Sequence, residues 1–434
     1  MNLRLKYLQS PLIALALALP ATSFATNGYF SHGTSVAEKG MAGAGNAYSQ
    51  DTMAAANNPA GMVLQGDRLD VGLALFAPMR SYTVSGTPSG GGFSLANGTV
   101  ESDNELFVIP QFGYNWMLND ESSIGVSVFG NGGMNTEYPA GTGPGTFGAG
   151  TAGVDLSQLF IATTYSRKFS ESASWGISGI IVYQQFEATG VGSFAGFSLD
   201  PANLSNNGTD SATGFGVRLG IQAEVTPGVT LGFAYQPEID MSEFDDYAGL
   251  FAENGDFDIP SNYTVGLAWH INDTSVFVVD VQQINYSDIA AIANPISSLQ
   301  PGGSCTPGAP ASGVGCLGGS NGAGFGWEDM TVVKLGYEWQ SSDVWTWRVG
   351  YSKTDQPIPD TEVLFNILAP GVVEDHITFG FTRALSSNSD FNFALMVAPN
   401  VSVSGPNAFD APGTQTIEIE MDQYELAASY SKRF

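Results

Sequence analysis

Few residues in this 434-residue chain have the types and spacing of a disulfide, a metal site or a catalytic site. The two cysteines, Cys305 and Cys316, have ten residues between them, mostly Gly, Pro and Ala. In an exported protein this spacing predicts one disulfide that closes a small loop. The three histidines (His32, His270 and His376) are scattered and the sequence has no CxxC motif, so a metal site is the weaker interpretation.

Motifs for catalysis are missing from the sequence. It has no GxSxG motif and no cluster of His, Asp and Glu, and the glycines around Gly43 follow no predicted strand, unlike a dinucleotide-binding loop. We therefore expect a protein that is not an enzyme, with no catalytic residues, no metal and no cofactor.

Strong negative charge excludes one class of partner. The chain has 14 Lys and Arg against 42 Asp and Glu, a formal net charge of −28. Nucleic-acid binding needs clusters of basic residues, so we expect no nucleic-acid partner. Acidity can also indicate disorder, but disordered chains are poor in hydrophobic and aromatic residues, which here make up 43% and 12% of the sequence.

Residues 1–25 are typical of an export signal. Arg4 and Lys6 precede an apolar run, and a cleavage pattern of small residues follows at 23–25. A membrane anchor is the weaker interpretation, because the apolar run is shorter than the roughly 20 residues that span a bilayer. We expect the mature chain to start near Thr26, outside the cytoplasm.

From Leu69 onward, apolar and polar residues alternate in fourteen segments with the two-residue period of β-strands. In one of them, Phe215, Val217 and Leu219 share a face, and small or polar residues share the other. The predicted strands are 69–77, 105–116, 122–131, 157–169, 174–185, 213–225, 229–236, 262–271, 274–285, 327–339, 345–354, 375–385, 390–399 and 423–434.

The lengths of the connections distinguish between two all-β folds. A soluble sandwich also alternates, but here connections of at most five residues alternate strictly with connections of 20 or more. This rhythm is typical of an outer-membrane barrel, which has short periplasmic turns, long extracellular loops, an apolar outer face and a polar interior. We predict an all-β membrane protein in which 67–434 form a 14-stranded antiparallel up-and-down β-barrel. The chain ends on Phe434, which looks like the signal that barrel-insertion machinery recognises, although an ordinary core strand can end in the same way.

Residues 26–66 differ from everything downstream. They are rich in Gly, Ala and Asn and have few β-branched residues, so they form strands poorly. Fourteen strands enclose a wide lumen, and this is the only part of the chain available to fill it. We predict a small, mostly helical N-terminal plug inside the barrel.

Several stretches resemble one family. They are Gly28-Tyr29-Phe30, the segment 39–62 with Asn58-Pro59-Ala60 as its most specific part, and the segments 130–139 and 347–360. Together they resemble the FadL/TodX outer-membrane transporters of long-chain fatty acids and other hydrophobic compounds. The resemblance implies a Gram-negative outer-membrane protein in which an N-terminal hatch lies inside the barrel.

The resemblance also implies a route. A hydrophobic molecule is captured by extracellular loops, passes to a pocket above the hatch and leaves sideways through an opening at a kink in the third strand. Asn131, Gly132 and Gly133 lie where that kink is expected, and Gly in a strand permits a bend or bulge. The alternative is that the third strand simply ends there.

Two long loops carry apolar clusters suited to capture. The candidate capture residues are Phe194, Phe197, Phe244, Leu250 and Phe251. The alternative is that the two loops pack on each other as a small core, and both can hold. The second loop is also acidic, and a solvated acidic rim is a better interpretation than a divalent-cation site, because no EF-hand pattern is present.

Cations on the predicted inner face are the remaining candidates. Arg218 and Arg348 could each hold the carboxylate of a fatty acid, since a guanidinium binds it bidentately. The interpretation we favour for the inner-face charges is a network of salt bridges, because buried charges are normally paired.

The sequence thus predicts uptake of long-chain fatty acids or hydrocarbons by a monomer whose other partners are outer-membrane lipid and lipopolysaccharide. The alternatives are a plugged general porin, an adhesin or a barrel-embedded outer-membrane hydrolase.

Overall fold

The computed structural model describes residues 27–90, 93–141 and 145–434. The expected export signal, 1–25, lies outside the described residues.

Fourteen antiparallel strands close into a barrel. Each pairs with the next along the chain, and β15 closes the wall by pairing with β1 from Arg68↔Arg433 to Gly86↔Gln415. The short strand β2 pairs only with the outer end of β1 and is not part of the wall. The strands are β1 (Arg68–Gly86), β2 (Gly98–Glu101), β3 (Phe107–Asn119), β4 (Ser122–Tyr138), β5 (Ala152–Ser170), β6 (Ala173–Thr189), β7 (Asp210–Thr226), β8 (Val229–Gln236), β9 (Asn262–Asn272), β10 (Ser275–Ile284), β11 (Met330–Gln340), β12 (Trp345–Lys353), β13 (Asp375–Ser386), β14 (Ser389–Pro406) and β15 (Gln415–Arg433).

The predicted barrel of fourteen strands is confirmed. All fourteen predicted segments are strands, and β4 corresponds to the third of them because β2 was not predicted. Several strands continue beyond their predicted ends, for example β4 to Tyr138 and β14 to Pro406.

Alternation along each strand separates a lipid face from a lumen face. On β7, Leu219 and Ile221 are 46% and 44% exposed, whereas Arg218 and Gln222 are each 5% exposed. The apolar side chains therefore point outward, as they must in a bilayer, and the polar ones line the lumen.

The helices are short and lie in the N-terminal residues and in the loops. No helix in the described part of the chain is both long and apolar enough to cross a membrane. The α-helical turns are Val36–Lys39, Ala54–Asn57, Ala252–Gly255, Ala290–Ala293 and Val363–Asn366, and the 3₁₀ turns are Pro59–Leu64, Gly192–Phe197, Pro201–Asn203, Asp245–Tyr247, Tyr286–Asp288, Ile296–Leu299 and Asp360–Glu362.

Candidate functional site

Residues 27–66, here called the N-terminal segment, are held against the inner wall by buried polar contacts. Lys39 Nζ lies 2.6 Å from Glu425 Oε1 on β15, and both side chains are almost fully buried. Asp280 on β10 accepts hydrogen bonds from the backbone N–H groups of Gly45 (2.8 Å) and Asn46 (2.9 Å). Breaking one side of a buried ion pair leaves an uncompensated charge, so these contacts fix the segment firmly in the lumen.

Glycines on the inner wall make room for the segment. An added Cβ would lie 2.1 Å from Asn58 Oδ1 at Gly220 and 2.3 Å from the Pro59 carbonyl oxygen at Gly176. The absence of a side chain thus lets two backbones approach closely. The same close approach to the segment occurs at Gly113, Gly232, Gly336 and Gly350.

Asn58 and Pro59, two of the predicted hatch residues, form a local cap. Asn58 Oδ1 accepts the N–H of Ala60 (3.1 Å) and caps the 3₁₀ turn Pro59–Leu64. Its amide nitrogen donates to the carbonyls of Asn46 (2.8 Å) and Ile221 (3.1 Å). The Asn-Pro-Ala motif therefore joins two parts of the segment to strand β7.

The other predicted hatch residues, Gly28, Tyr29 and Phe30, lie in a buried aromatic cluster. Gly28 has a positive φ of 62°. The ring of Tyr29 lies 5.2 Å from that of Phe30 and 5.3 Å from that of Tyr286. Trp327 completes the cluster, 5.2 Å from Tyr286.

Strand β4 has an irregular register where Tyr29 and Phe30 meet it. Its ladder with β5 shifts register between Gly130 and Gly132. At this bulge the N–H of Ser31 donates to the Asn131 carbonyl (2.9 Å), and the N–H of Gly133 donates to the Tyr29 carbonyl (3.0 Å). The N-terminal segment therefore pairs with β4 from inside the barrel.

Beside this bulge, the hydrogen-bonded ladder between β3 and β4 covers only part of β3. The ladder between β3 and β4 ends at Phe112↔Val128. Strand β3 nevertheless extends back to Phe107, which pairs with Phe76 of β1. The ladder of β3 with β1 thus continues over 107–111, where the ladder of β3 with β4 has ended. Pro110, which has no N–H to donate, lies in this stretch.

The extracellular loops enclose an apolar cavity of about 40 Å³. Of the predicted capture residues, Phe194, Leu250 and Phe251 line it. Phe197 lies at the edge of the loops against Phe409, with ring centroids 5.3 Å apart. The loop residues thus form a small core that surrounds a cavity, which combines the two interpretations of the sequence. The further lining residues are Val154, Phe186, Ala188, Val191, Ala291, Leu317, Ala323, Gly324, Phe325, Phe365 and Leu368.

The fifth predicted capture residue, Phe244, is not at the cavity. It is fully buried and packs against Phe186 (5.6 Å between centroids) and Phe251 (6.3 Å). Its place is behind the cavity wall, where it supports residues that line it.

Cys305 and Cys316 form the predicted disulfide, with an S–S distance of 2.06 Å. The loop they close pairs with the loop between β6 and β7, since Gly308 donates its N–H to the Gly196 carbonyl at 2.9 Å. Leu317, the residue directly after Cys316, pairs with the same loop. Leu317 donates its N–H to the Phe197 carbonyl, and Leu199 donates to the Leu317 carbonyl, both at 3.0 Å. The disulfide therefore holds one wall of the apolar cavity.

The two candidate arginines differ in their partners. Arg348 Nε lies 2.7 Å from Glu338 Oε2, and Glu338 also accepts a hydrogen bond from Tyr48 of the N-terminal segment (2.7 Å). Arg218 donates to Gln236 Oε1 (2.6 Å) and has no carboxylate within ion-pair distance among the described residues. The expected network thus includes Arg348 but not Arg218.

The acidic loop between β8 and β9 is organised around one carboxyl group. Asp258 Oδ1 accepts the N–H of Met241 at 2.6 Å. Burial, with the neighbouring carboxylates of Asp256 and Asp240, raises the pKa of Asp258 to about 8. In the described ranges no group of three His, Cys, Asp or Glu side chains could hold a metal ion.

Comparison with known proteins decides the family. The family model of outer-membrane transport proteins of the OMPP1/FadL/TodX type matches residues 17–434. This chain belongs to that family. No curated protein sequence matches it.

Solved structures of FadL/TodX transporters share the fold. The toluene transporter TodX of Pseudomonas putida is 19% identical, with a TM-score of 0.67 over 94% of this chain and 100% of that one. A FadL homologue of Pseudomonas aeruginosa is 16% identical (TM-score 0.65, 94% and 100% covered), and the toluene transporter TbuX of Ralstonia pickettii is 18% identical (0.61, 93% and 99%).

The protein is therefore an outer-membrane transport protein of the OMPP1/FadL/TodX family, as the sequence predicted.

Sequence reasoning missed two features of this FadL/TodX barrel. The lumen-facing glycines were interpreted only as part of a polar inner face, although their recurrence on several strands could have indicated a closely packed plug. The cavity residues Phe325 and Phe365 lie in two later loops, and nothing in their local sequence shows that these loops meet the earlier ones.

Proposed function

We propose that this protein takes up small hydrophobic molecules, long-chain fatty acids or hydrocarbons, by a lateral route. The molecule enters the apolar cavity between the extracellular loops, passes to the inner face of the barrel above the N-terminal segment, and leaves into the membrane between β3 and β4. Solved relatives described as toluene transporters are consistent with an apolar cargo.

The observation that carries the proposal is the early end of the β3–β4 ladder at Val128. A straight path would require the N-terminal segment to leave its buried contacts, such as the Lys39–Glu425 ion pair. Separating β3 and β4 beyond Val128 breaks no hydrogen bond of that ladder, because the ladder has already ended there. The lateral route between β3 and β4 therefore breaks fewer contacts than a straight path that displaces the N-terminal segment.

Apolar residues flank this part of the wall. Val108 of β3 is 44% exposed, and Leu106, just before the strand, is 67% exposed. On the inside, a small cavity at this level is lined by Phe76 of β1 and Met134 of β4, together with the polar side chains of Arg80 and Asn135. A hydrophobic molecule crossing here would stay in contact with apolar groups on both sides.

A cross-link between β3 and β4 tests the route. In the variant Gln111→Cys/Phe129→Cys, the two thiols continue the register of Phe112↔Val128 by one pair, and a disulfide would draw the strands together. Uptake of radiolabelled oleate and of toluene is expected to fall several-fold when mass spectrometry shows the bond and to return, on reduction, to the uptake of equally reduced wild-type protein, in which the native disulfide is also open. The matched control, Tyr114→Cys/Val126→Cys, joins a pair that is already in the ladder and should transport like the wild type in both states. Unchanged uptake through the cross-linked Gln111→Cys/Phe129→Cys variant would contradict a lateral exit.

A further inference from the structure

Three buried side chains on adjacent strands form a row of hydrogen-bond donors. Gln236 of β8 is paired directly with Asn262 of β9, and Arg218 of β7 donates to the Gln236 oxygen at 2.6 Å. Arg218, Gln236 and Asn262 are 5%, 0% and 6% exposed. This row of three side chains is here called the donor row.

Each member of the donor row has a nitrogen atom that finds no acceptor in the described part of the protein. These atoms are Nη1 of Arg218, Nε2 of Gln236 and Nδ2 of Asn262. A buried donor without a partner is costly, and these three lie on neighbouring strands.

Arg218 brings a positive charge to this row without a counter-charge. All ion pairs found among the described residues involve other cations, including the equally buried Arg348, which pairs with Glu338 at 2.7 Å. Removing a charge from water is costly unless an opposite charge lies close to it. The donor row therefore provides what an anion requires, namely one guanidinium and two amide groups.

Arg218 and Asn262 line a cavity of about 60 Å³ between the wall and the N-terminal segment. At roughly 10–15 Å³ for each water-sized group, this space holds a small ion with a few waters. The lining is mainly polar and includes Ser31, Thr34 and Asn131. It also includes Lys334 and Glu38, and burial raises the pKa of the Glu38 carboxyl group well above its usual value, which favours its neutral form. The apolar cavity of the loops shares no lining residue with it, so the two cavities are separate.

We propose that the donor row binds a compact free anion, of the size of chloride, between strands β7–β9 and the N-terminal segment. The anion neutralises Arg218 and accepts hydrogen bonds from Arg218 and Asn262, which line the cavity, while the side-chain oxygen of Gln236 holds Arg218 in place. It thereby contributes to holding the segment in the lumen. This site is independent of the uptake route proposed above.

The anion dependence of thermal unfolding tests the site. Purified protein in a neutral detergent is kept at constant ionic strength while sodium gluconate is replaced stepwise by sodium chloride or bromide. An anion that binds only the folded state raises the apparent Tm in a saturable way. We expect this rise in the wild type and its loss in Arg218→Met, which keeps the bulk of the side chain but removes the charge.

Arg348→Met is the matched control, since it removes an equally buried cation that already has a carboxylate partner. It should lower the Tm but retain the chloride-dependent rise. If Arg218→Met does not assemble, Asn262→Leu removes one donor and is expected to raise the half-saturating chloride concentration at least tenfold. Crystals soaked in bromide should show one anomalous peak within hydrogen-bond distance of Arg218.

Three results would overturn the proposal. The first is an equal chloride effect in the wild type and in Arg218→Met, and the second is no effect in either together with no bromide peak. The third is a Tm rise with octanoate at concentrations where chloride and acetate have none, which would assign the donor row to the acid group of a cargo.

Discussion

Gly132 shows how one residue connects the wall to the N-terminal segment. A Cβ at this position would lie 2.0 Å from the Tyr29 carbonyl oxygen. From sequence alone, Val at Gly132 and Gly133 is expected to make the strand regular at no cost in stability, since Gly is a poor strand former. The Tyr29 carbonyl changes that expectation for Gly132, because any side chain there must displace the segment.

We predict that Gly132→Val releases the first residues of the segment from β4. Hydrogen exchange at 27–33 should become faster and uptake should fall several-fold at equal outer-membrane abundance. Gly179→Val on β6 is the control, because its added Cβ would lie 3.7 Å from the ring of Phe215, an ordinary contact. Unchanged exchange at 27–33 in the Gly132 variant would mean that the segment does not depend on this pairing.

Asp258 gives the loop between β8 and β9 a dependence on pH. Its pKa, about 8 in the folded protein, lies above the usual value near 4 for an unfolded chain. The folded state therefore binds the extra proton between about pH 4 and pH 8, and the stability that this proton provides is lost as the pH rises through that window. Proteolysis within 237–261 should thus be faster at pH 9 than at pH 6.

The variant Asp258→Asn isolates this group. An amide oxygen can still accept the Met241 N–H, but the side chain no longer titrates, so the difference in proteolysis between pH 6 and pH 9 should shrink. A difference as large as in the wild type would assign the pH dependence to other carboxylates of the loop, such as Asp256.

Among the structural elements, the disulfide between Cys305 and Cys316 affects both the loop that it closes and the wall of the apolar cavity. In the chain-entropy model, a loop of about 12 residues gains roughly 3 kcal/mol from such a bond. From the sequence alone, we expect the disulfide to stabilise only its own loop, so that its removal leaves transport nearly intact. Because Leu317, directly after Cys316, pairs with Phe197 and lines the apolar cavity, we expect a larger effect.

We predict that Cys305→Ser/Cys316→Ser lowers uptake a few-fold while barrel assembly stays normal. The loops after β6 and β10 should become more accessible to protease, and the heat-induced unfolding of the barrel itself should change little. Wild-type uptake by a variant with accessible loops would show that the cavity wall is not needed for capture. A free-thiol assay of unreduced wild-type protein should find none.

The ends of the strands mark the limit of sequence prediction, and β15 shows why. Within the predicted part, Tyr424 and Leu426 face outward and are 46% and 47% exposed. Further out, Ile417 and Ile419 on the opposite face are fully buried, because there the lumen is filled by apolar loops and the outside is water. The apolar residues therefore lie on the outer face within the membrane and on the inner face beyond it. A prediction that follows one continuous apolar face ends the strand where this change occurs.

The candidate site was predictable only where the chemistry is local. The disulfide depends on a short spacing that is visible in the sequence, and the hatch residues were proposed from short stretches that resemble one family. The donor row depends on the register of three strands and on the absence, among the described residues, of a carboxylate within ion-pair distance of Arg218. The apolar cavity joins loops that are more than a hundred residues apart, such as those of Phe194 and Phe365. Neither arrangement has a local sequence pattern.

For the whole molecule, the fit between the wall and the N-terminal segment determines whether the barrel leaks. The segment is fastened at separate places on the wall, through Lys39 to Glu425, through Gly45 and Asn46 to Asp280, and through Asn58 to β7. The contacts reach strands on different sides of the barrel. A small local movement therefore cannot free the whole segment.

We predict that the intact protein shows little steady conductance in planar bilayers. Deletion of 27–66 should produce large, stable channels, because the polar inner face would then be hydrated along its length. Lys39→Met should give an intermediate result, with brief openings, since it leaves Glu425 buried without its partner but keeps the other contacts. Large and stable channels in the intact protein would contradict a closed lumen, and a deletion variant that assembles but does not conduct would show that the loops, rather than the segment, close the barrel.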